Sequence, residues 1–374
     1  AGMFTANSMN CMTEVLGIAL PGNGTIPAVM SERIRLAKKA GMRIMDLVRD
    51  NVLPRDIMTR KAFENALMLD MALGCSTNSM LHLPAIAHEC GIEIDLAEAN
   101  EISKRTPNLC HLSPAGEDTM MDLDRAGGIP AVMHELAKLG HLNLDCMTVT
   151  GKTVGENIKG HEVLNNEVIR PVTNPFMKEG GIAVLKGNLA PEGAVIKHTA
   201  CPREMFQAVL RARPFDSEEE CLDAVLHHKV EKGDAVFIRY EGPQGSGMPE
   251  MFYTSEAISS DKELGRSIAL ITDGRFSGAS TGPVIGHCSP EAQTGGPIAL
   301  VEEGDLIEID IPARKLNIIG IKGERKPPEE IDAVLAQRRA AWKPKPRRYK
   351  RGTLRLFSEH AVSPMKGAYL EFND

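Results

Sequence analysis

Three short stretches combine polar side chains with glycine in ways that could do chemistry. Residues 241–251 read EGPQGSGMPEM and follow an apolar, β-branched run directly. Glycines there let backbone come close to a ligand, and Glu250 beside them is a carboxylate of the kind that binds a metal ion. The residues leave two readings open, a site or a tight turn. Dinucleotide binding is poorly supported, because the third glycine of that pattern would fall at Glu250. Residues 273–279, DGRFSGA, also follow a strand-like run and put Ser277 where α/β proteins often place reactive groups. The hydrolase elbow G-x-S-x-G is not met, since Arg275 and Ala279 occupy its glycine positions. On residues alone the simpler reading is a glycine turn with a local serine hydrogen bond. Residues 74–82, GCSTNSMLH, crowd Ser76, Thr77, Asn78 and His82 at a helix start. They read equally as a helix cap beside a core histidine or as a polar pocket wall offering N–H groups to an anion.

Other candidates are weaker. Gly151-Lys152-Thr153 resembles the end of a phosphate-binding loop, but the required first glycine is Cys146. The eight cysteines, Cys11, Cys75, Cys90, Cys110, Cys146, Cys201, Cys221 and Cys288, form no C-x-x-C pair and no zinc-like spacing. Scattered single cysteines fit a reducing cytoplasm. The basic run WKPKPRRYKR, residues 342–351, reads as a solvated connector.

The elements that must position these groups change character along the chain. Residues 1–167 read as helical, the remainder of an N-terminal domain. Met3 to Leu20, Ser31 to Asn51, Arg60 to Leu73, Thr77 to Cys90 and Pro130 to Leu139 carry apolar residues at helical spacing or helix-ending glycines. Residues 168–374 read as a β-rich, barrel-like domain with helical insertions. Its expected strands are Ile182–Leu185, Ala194–His198, Ala235–Tyr240, Ile268–Thr272, Ile298–Val301 and Leu306–Ile311. One helix, Ser217 to His228, interrupts them, with Asp216 or Ser217 as cap and Leu222, Val225 and Leu226 facing inward. The fold class expected is therefore α/β (α+β).

With 374 residues, 43% hydrophobic and 25% charged, the chain is an ordinary globular sequence of two-domain size. A net charge of −7 argues against a nucleic-acid surface. No apolar run reaches the ~20 residues that span a bilayer. The chain opens AGMFTANSMNCM inside a helix-like pattern, which suggests a cut chain.

Seven collinear stretches resemble one family. They are residues 2–24 (GMFTANSMNCMTEVLGIALPGNG), 74–87 (GCSTNSMLHLPAIA), 180–197 (GGIAVLKGNLAPEGAVIK), 242–251 (GPQGSGMPEM), 273–280 (DGRFSGAS), 286–292 (GHCSPEA) and 365–368 (MKGA). All look like signatures of the dihydroxy-acid dehydratase and phosphogluconate dehydratase family, most like its dihydroxy-acid branch, and they cover essentially the whole chain. The resemblance implies dehydration of a 2,3-dihydroxy carboxylic acid to a 2-keto acid in branched-chain amino-acid biosynthesis, by a cytoplasmic homodimer that uses Mg²⁺ and an iron–sulfur cluster (2Fe-2S or 4Fe-4S). It implies Glu250 as a magnesium ligand, Ser277 as the base, and Ser76, Thr77 and Asn78 as pocket lining, with Cys75 where the family usually has glycine. The family's third cluster cysteine lies just before the stretch that here begins at Gly2, so Cys11 does not take its place. The expectation is a C-terminal fragment that lacks the cluster ligands and is inactive alone. Two alternatives are a sugar-acid (phosphogluconate or pentonate) dehydratase and a non-catalytic binding or assembly module.

Overall fold

The computed structural model of the chain describes residues 1–372. By its internal contacts the chain divides into two units, Ala1–Ile182 and Ala183–Asp374. Helices fill the first and strands dominate the second, which is the α/β order expected.

The first unit is built around the helix Arg60–Leu73, buried from Ala62 to Leu73 apart from Glu64. Gly74, at φ +61°, closes it in the left-handed conformation that suits glycine. The helix expected from Met3 to Leu20 is shorter, Thr5–Val15, because Gly17 turns the chain at φ +84°. Past it, the buried carboxylate of Glu14 accepts the Gly22 and Gly24 N–H groups at 2.9 and 2.7 Å and ties down the loop. The helix Ser31–Arg49 has the expected apolar spacing, yet Ile34, Ile44 and Val48 lie exposed and only Leu47 is buried.

The second unit holds β1 (Ile182–Leu185), β2 (Gly193–Lys197), β3 (Gln207–Phe215), β4 (Asp234–Ile238), β5 (Glu250–Met251), β6 (Ala269–Thr272), β7 (Arg275–Phe276), β8 (Val284–Ser289), β9 (Leu306–Asp310), β10 (Lys315–Ile321) and β11 (Glu324–Arg325). Nine of these form one mixed sheet in the order β1-β2-β8-β6-β4-β3-β9-β10-β11. Neighbours from β8 through β6 and β4 to β3 run parallel, and the flanking pairs of known register, β2/β8, β3/β9, β9/β10 and β10/β11, run antiparallel. Lys186, just past β1, bridges to Lys315 of β10 through Lys186 N–H to Arg314 O (2.9 Å) and Leu316 N–H to Lys186 O (3.0 Å). The sheet is thus curled toward closure, which is the barrel-like character expected.

Strand alternation explains the core. Ala235 and Phe237 of β4 and Ala269 and Ile271 of β6 point into the curl with Ile196, Ile285, Ile307 and Ile318. Val236, Ile238 and Leu270 point outward, where they pack with Cys221, Val225 and Ile258 of the helices Glu218–Leu226 and Tyr253–Ser260. Parallel strands are buried on both faces, and these helices supply the outer cover.

Several local expectations are corrected. Ile298–Val301 is not a strand: Pro297–Leu300 is a 3₁₀ turn that starts at a proline after Gly295 and Gly296. Its carbonyls serve arginines instead of a ladder, with Arg239 donating to Ala299 and Val301 and Arg338 donating to Leu300. Strands β3, β8 and β10 were not anticipated, because Pro214, His287 and Asn317 interrupt their apolar patterns. In the helix Glu218–Leu226, Ser217 is the cap, accepting from Glu220 N–H at 3.2 Å, but Leu226 is 62% exposed and Cys221, Ala224 and Val225 face inward. The basic run is an anchored strap more than a free connector. Lys345 pairs with Asp216 at 2.6 Å, Arg348 with Glu219 and Glu241 at 3.3 and 3.5 Å, and the Trp342 indole N–H donates to Tyr240 Oη at 3.3 Å.

Candidate functional site

The glycine-rich loop leaves β4 through Glu241 and forms a short helical turn, Pro243–Ser246. Two glycines there are required by close approach. A Cβ on Gly242 would fall 2.5 Å from a Glu291 carboxylate oxygen, and one on Gly245 would fall 2.4 Å from the Tyr240 carbonyl oxygen. Glu291 uses that proximity: its carboxylate accepts the N–H groups of Gln244 (2.9 Å) and Gly245 (2.9 Å). Asp273 does the same at the loop's start, accepting from Tyr240 (3.1 Å), Glu241 (3.0 Å) and, from the other side, Ala292 (2.8 Å).

Burial sets the electrostatics of this support. Desolvation pushes Asp273 up to about 6 against the pull of its three N–H donors. Glu291 is pushed to about 8, first by desolvation and then by the nearby Asp273 charge. Glu241 is also raised by burial, with Ser246 and Arg348 opposing.

After the turn, Gly247 and Met248 take left-handed conformations at φ +80° and +55° and deliver the chain into β5. There Glu250 lies in parallel register with Arg275, and Met251 with Phe276. The ladder continues one step further, because Ser277 N–H donates to the Met251 carbonyl at 2.8 Å. Glu250 and Ser277 therefore sit on adjacent hydrogen-bonded segments. The Glu250 side chain is 37% exposed, with the Arg275 guanidinium 3.6 Å away. Ser277 is half-buried, and its Oγ accepts the Ala279 N–H at 3.3 Å. That is the local serine bond of the simpler sequence reading, made within the turn that follows β7.

Ser76, Thr77 and Asn78 belong to the first unit. Ser76 and Asn78 are buried and Thr77 is half-buried. They tie the start of the helix Ser79–Glu89 to the helix Thr5–Val15: Asn78 Nδ2 donates to Thr5 Oγ1 at 2.7 Å, Ser76 N–H donates to Ser8 Oγ at 2.9 Å, and the Thr5 and Ser76 hydroxyls lie 3.1 Å apart. Asn78 occupies the cap position, and the Ser76 hydroxyl accepts Asn78 N–H at 3.2 Å.

The family resemblance implies two inorganic groups, magnesium and an iron–sulfur cluster. Glu250 fits magnesium as a single carboxylate ligand, being solvent-accessible on a fixed strand, and Mg²⁺ commonly takes one or two carboxylates with water and substrate. No group of three or more His, Cys, Asp or Glu side chains that could hold a metal occurs among the described residues. The eight cysteines are unbridged and none joins two further ligating side chains, so the described residues do not fit an iron–sulfur cluster.

Sequence reading missed Asp273, Arg275 and Glu291 as parts of the site. The available signal was positional and partial: Asp273 directly follows β6, Glu291 lies two residues past β8, and Arg275 sits within the DGRFSGA stretch already singled out.

Residues 1–157 match the family model described as dihydroxy-acid/6-phosphogluconate dehydratase N-terminal, and residues 167–368 match its C-terminal counterpart. The chain belongs to the dihydroxy-acid/6-phosphogluconate dehydratase family. Among named relatives it is 58% identical over 371 residues to a dihydroxy-acid dehydratase of Agathobacter rectalis, covering 99% of this chain and 64% of that protein. It is 56% identical over 372 residues to the dihydroxy-acid dehydratases of Clostridium kluyveri and Lachnoclostridium phytofermentans, covering 99% of this chain and 65% of each. The chain thus spans somewhat less than two thirds of the length of these relatives.

Proposed function

We propose that the chain carries part of the active site of a hydro-lyase that converts a 2,3-dihydroxy carboxylate into a 2-keto acid. The substrate is of the 2,3-dihydroxy-3-methylbutanoate type, and the setting is branched-chain amino-acid biosynthesis in the cytoplasm. The observation that carries the reading is the placement of Glu250 and Ser277 on adjacent strands, in register through Arg275 and Met251. The names of the relatives give the reaction class.

In the reaction a proton leaves C2, the C3 hydroxyl takes up a proton and departs as water, and the resulting enol gains a proton at C3 and loses the one on its C2 hydroxyl to become the ketone. Ser277 is the base at C2. Its Oγ receives the Ala279 N–H, an interaction that favours a charge-bearing oxygen. Its backbone N–H donates to the Met251 carbonyl, so the Ser277 backbone is held against the segment that carries Glu250. Glu250 is a magnesium ligand in this reading. Magnesium, when bound, neutralises charge on the carboxylate and on the developing enediolate. Because the described residues do not fit an iron–sulfur cluster, departure of the C3 hydroxyl is not ascribed to any group of this chain.

Ser76, Thr77 and Asn78 are proposed as pocket lining on family resemblance, supported by their polar network with Thr5 and Ser8. The unbridged cysteines support a reducing compartment. Among the described residues no helix is long and apolar enough to cross a membrane. A homodimer is the assembly we infer from the family.

The test is a substrate panel on the full gene product: 2,3-dihydroxy-3-methylbutanoate, a phosphogluconate and a pentonate, with 2-keto acid as readout. Preference for the first is expected. Turnover confined to the sugar acids would overturn the substrate assignment, and no keto acid from any of them would overturn the dehydratase reading.

A further inference from the structure

The glycine-rich loop is held at its start by Glu291 and Asp273, but neither reaches Glu250. From Gly247 onward the chain passes through two left-handed residues and has only a two-residue strand to settle on. A pair of strands that short has little stability of its own. One side chain spans the gap. Arg275 donates from Nε to the Met248 carbonyl at 2.9 Å and sets Nη1 3.6 Å from the Glu250 carboxylate. It is the strand partner of Glu250 and lies two residues before Ser277. Its side chain is 22% exposed, so the planar guanidinium is held in a partly desolvated slot and not waving in solvent.

We propose that Arg275 is a positioning residue that locks the Glu250 segment to the Ser277 turn. A single fork grips the strained Met248 peptide with one nitrogen and steadies the Glu250 carboxylate with another, so the two candidate reacting groups move as one body. Lysine offers one point charge in place of two directed N–H vectors and cannot make both contacts at once. The inference rests on the dehydratase reading only for what Glu250 and Ser277 do; the coupling between their segments stands on the contacts alone.

The test uses Arg275→Gln and Arg275→Lys, read in two ways. Amide hydrogen exchange of the chain monitors Ser277 N–H, bonded to Met251, and Met248 N–H, bonded to Gly242 at 3.2 Å. In Arg275→Gln both should exchange at least tenfold faster, with the amides of β4 and β6 unchanged; Arg275→Lys should be intermediate. In the full gene product, kcat for the dihydroxy acid should fall roughly 10–100-fold with KM changed little, since slight misplacement of reacting groups costs about that much. Arg275→Lys should recover part of it. Exchange at both amides within twofold of the unsubstituted chain would overturn the proposal. So would accelerated exchange spread evenly over β4 and β6, which would make Arg275 a general stabiliser of the unit. Faster local exchange in a protein that yields no keto acid would leave the positioning role in place and remove the dehydratase reading instead.

Discussion

Replacing Glu291 by Gln should change how stability depends on pH. The carboxyl is buried at 4% exposure and is displaced from an ordinary 4.5 to about 8, first by desolvation and then by Asp273. A carboxyl raised on folding stays protonated in the native state while the unfolded chain has already ionised. Its contribution to stability is therefore fully present below 4.5 and is lost as pH rises toward 8. Within that window the loss is about 1.4 kcal/mol per pH unit, so the unsubstituted protein should lose about 2 kcal/mol at this site between pH 6 and pH 8. Glutamine stays neutral and keeps an oxygen to accept the Gln244 or Gly245 N–H. The variant should match the parent near pH 4.5, and its margin over the parent should grow by about 2 kcal/mol between pH 6 and pH 8. The assay is urea unfolding followed through Trp342, the chain's single tryptophan, whose indole is bonded to Tyr240 beside this loop. Parallel pH profiles for parent and variant would mean that Glu291 ionises alike in the folded and unfolded states, contrary to its burial.

Three further outcomes are expected. Glu250→Gln in the full gene product should weaken magnesium binding, so that added Mg²⁺ restores part of the rate; a rate loss insensitive to magnesium would remove Glu250 from the metal site. Anaerobic treatment of this chain with iron and sulfide should yield neither stoichiometric cluster absorption nor keto-acid formation, since the described residues bring no three ligating side chains together; turnover above background would contradict this. Limited proteolysis should release a stable β-rich core beginning near residue 168, the boundary read from the change in periodicity and from Pro171 and Pro175, and first cuts within β1 or β2 would place it elsewhere.

Much of this architecture was legible because local pattern and tertiary role agree. The helix Arg60–Leu73 has continuous apolar spacing and a glycine stop, and the structure buries it from Ala62 to Leu73 apart from Glu64. Strands β4, β6 and β9 are β-branched runs bounded by turns and appear close to where expected. What escaped was structure set by distant partners. Strand β3 contains Pro214 and alternates exposed with buried residues, so only pairing with β4 and β9 on its two sides makes it a strand. Ile298–Val301 has strand-forming residues, yet its carbonyls are claimed by Arg239 and Arg338. At the site, the glycines announced a close approach but not its partner, which is Glu291 some 45 residues on, across the turn after β8. Glu250 and Ser277 stood out by residue type. Arg275 did not, because its meaning comes from a strand register that no local pattern encodes.

The base proposed for the C2 proton is Ser277. The measurement that tests it most directly is keto-acid formation by the full gene product and its Ser277→Ala variant, with hydrogen–deuterium exchange at C2 of the substrate followed alongside. The variant's kcat should be lower by roughly 10²–10⁴-fold, the usual weight of general-base catalysis, with C2 exchange lost in parallel and with fold and magnesium content unchanged. A variant that keeps a normal kcat, or that still exchanges C2 hydrogen at the parent's rate, would contradict that role.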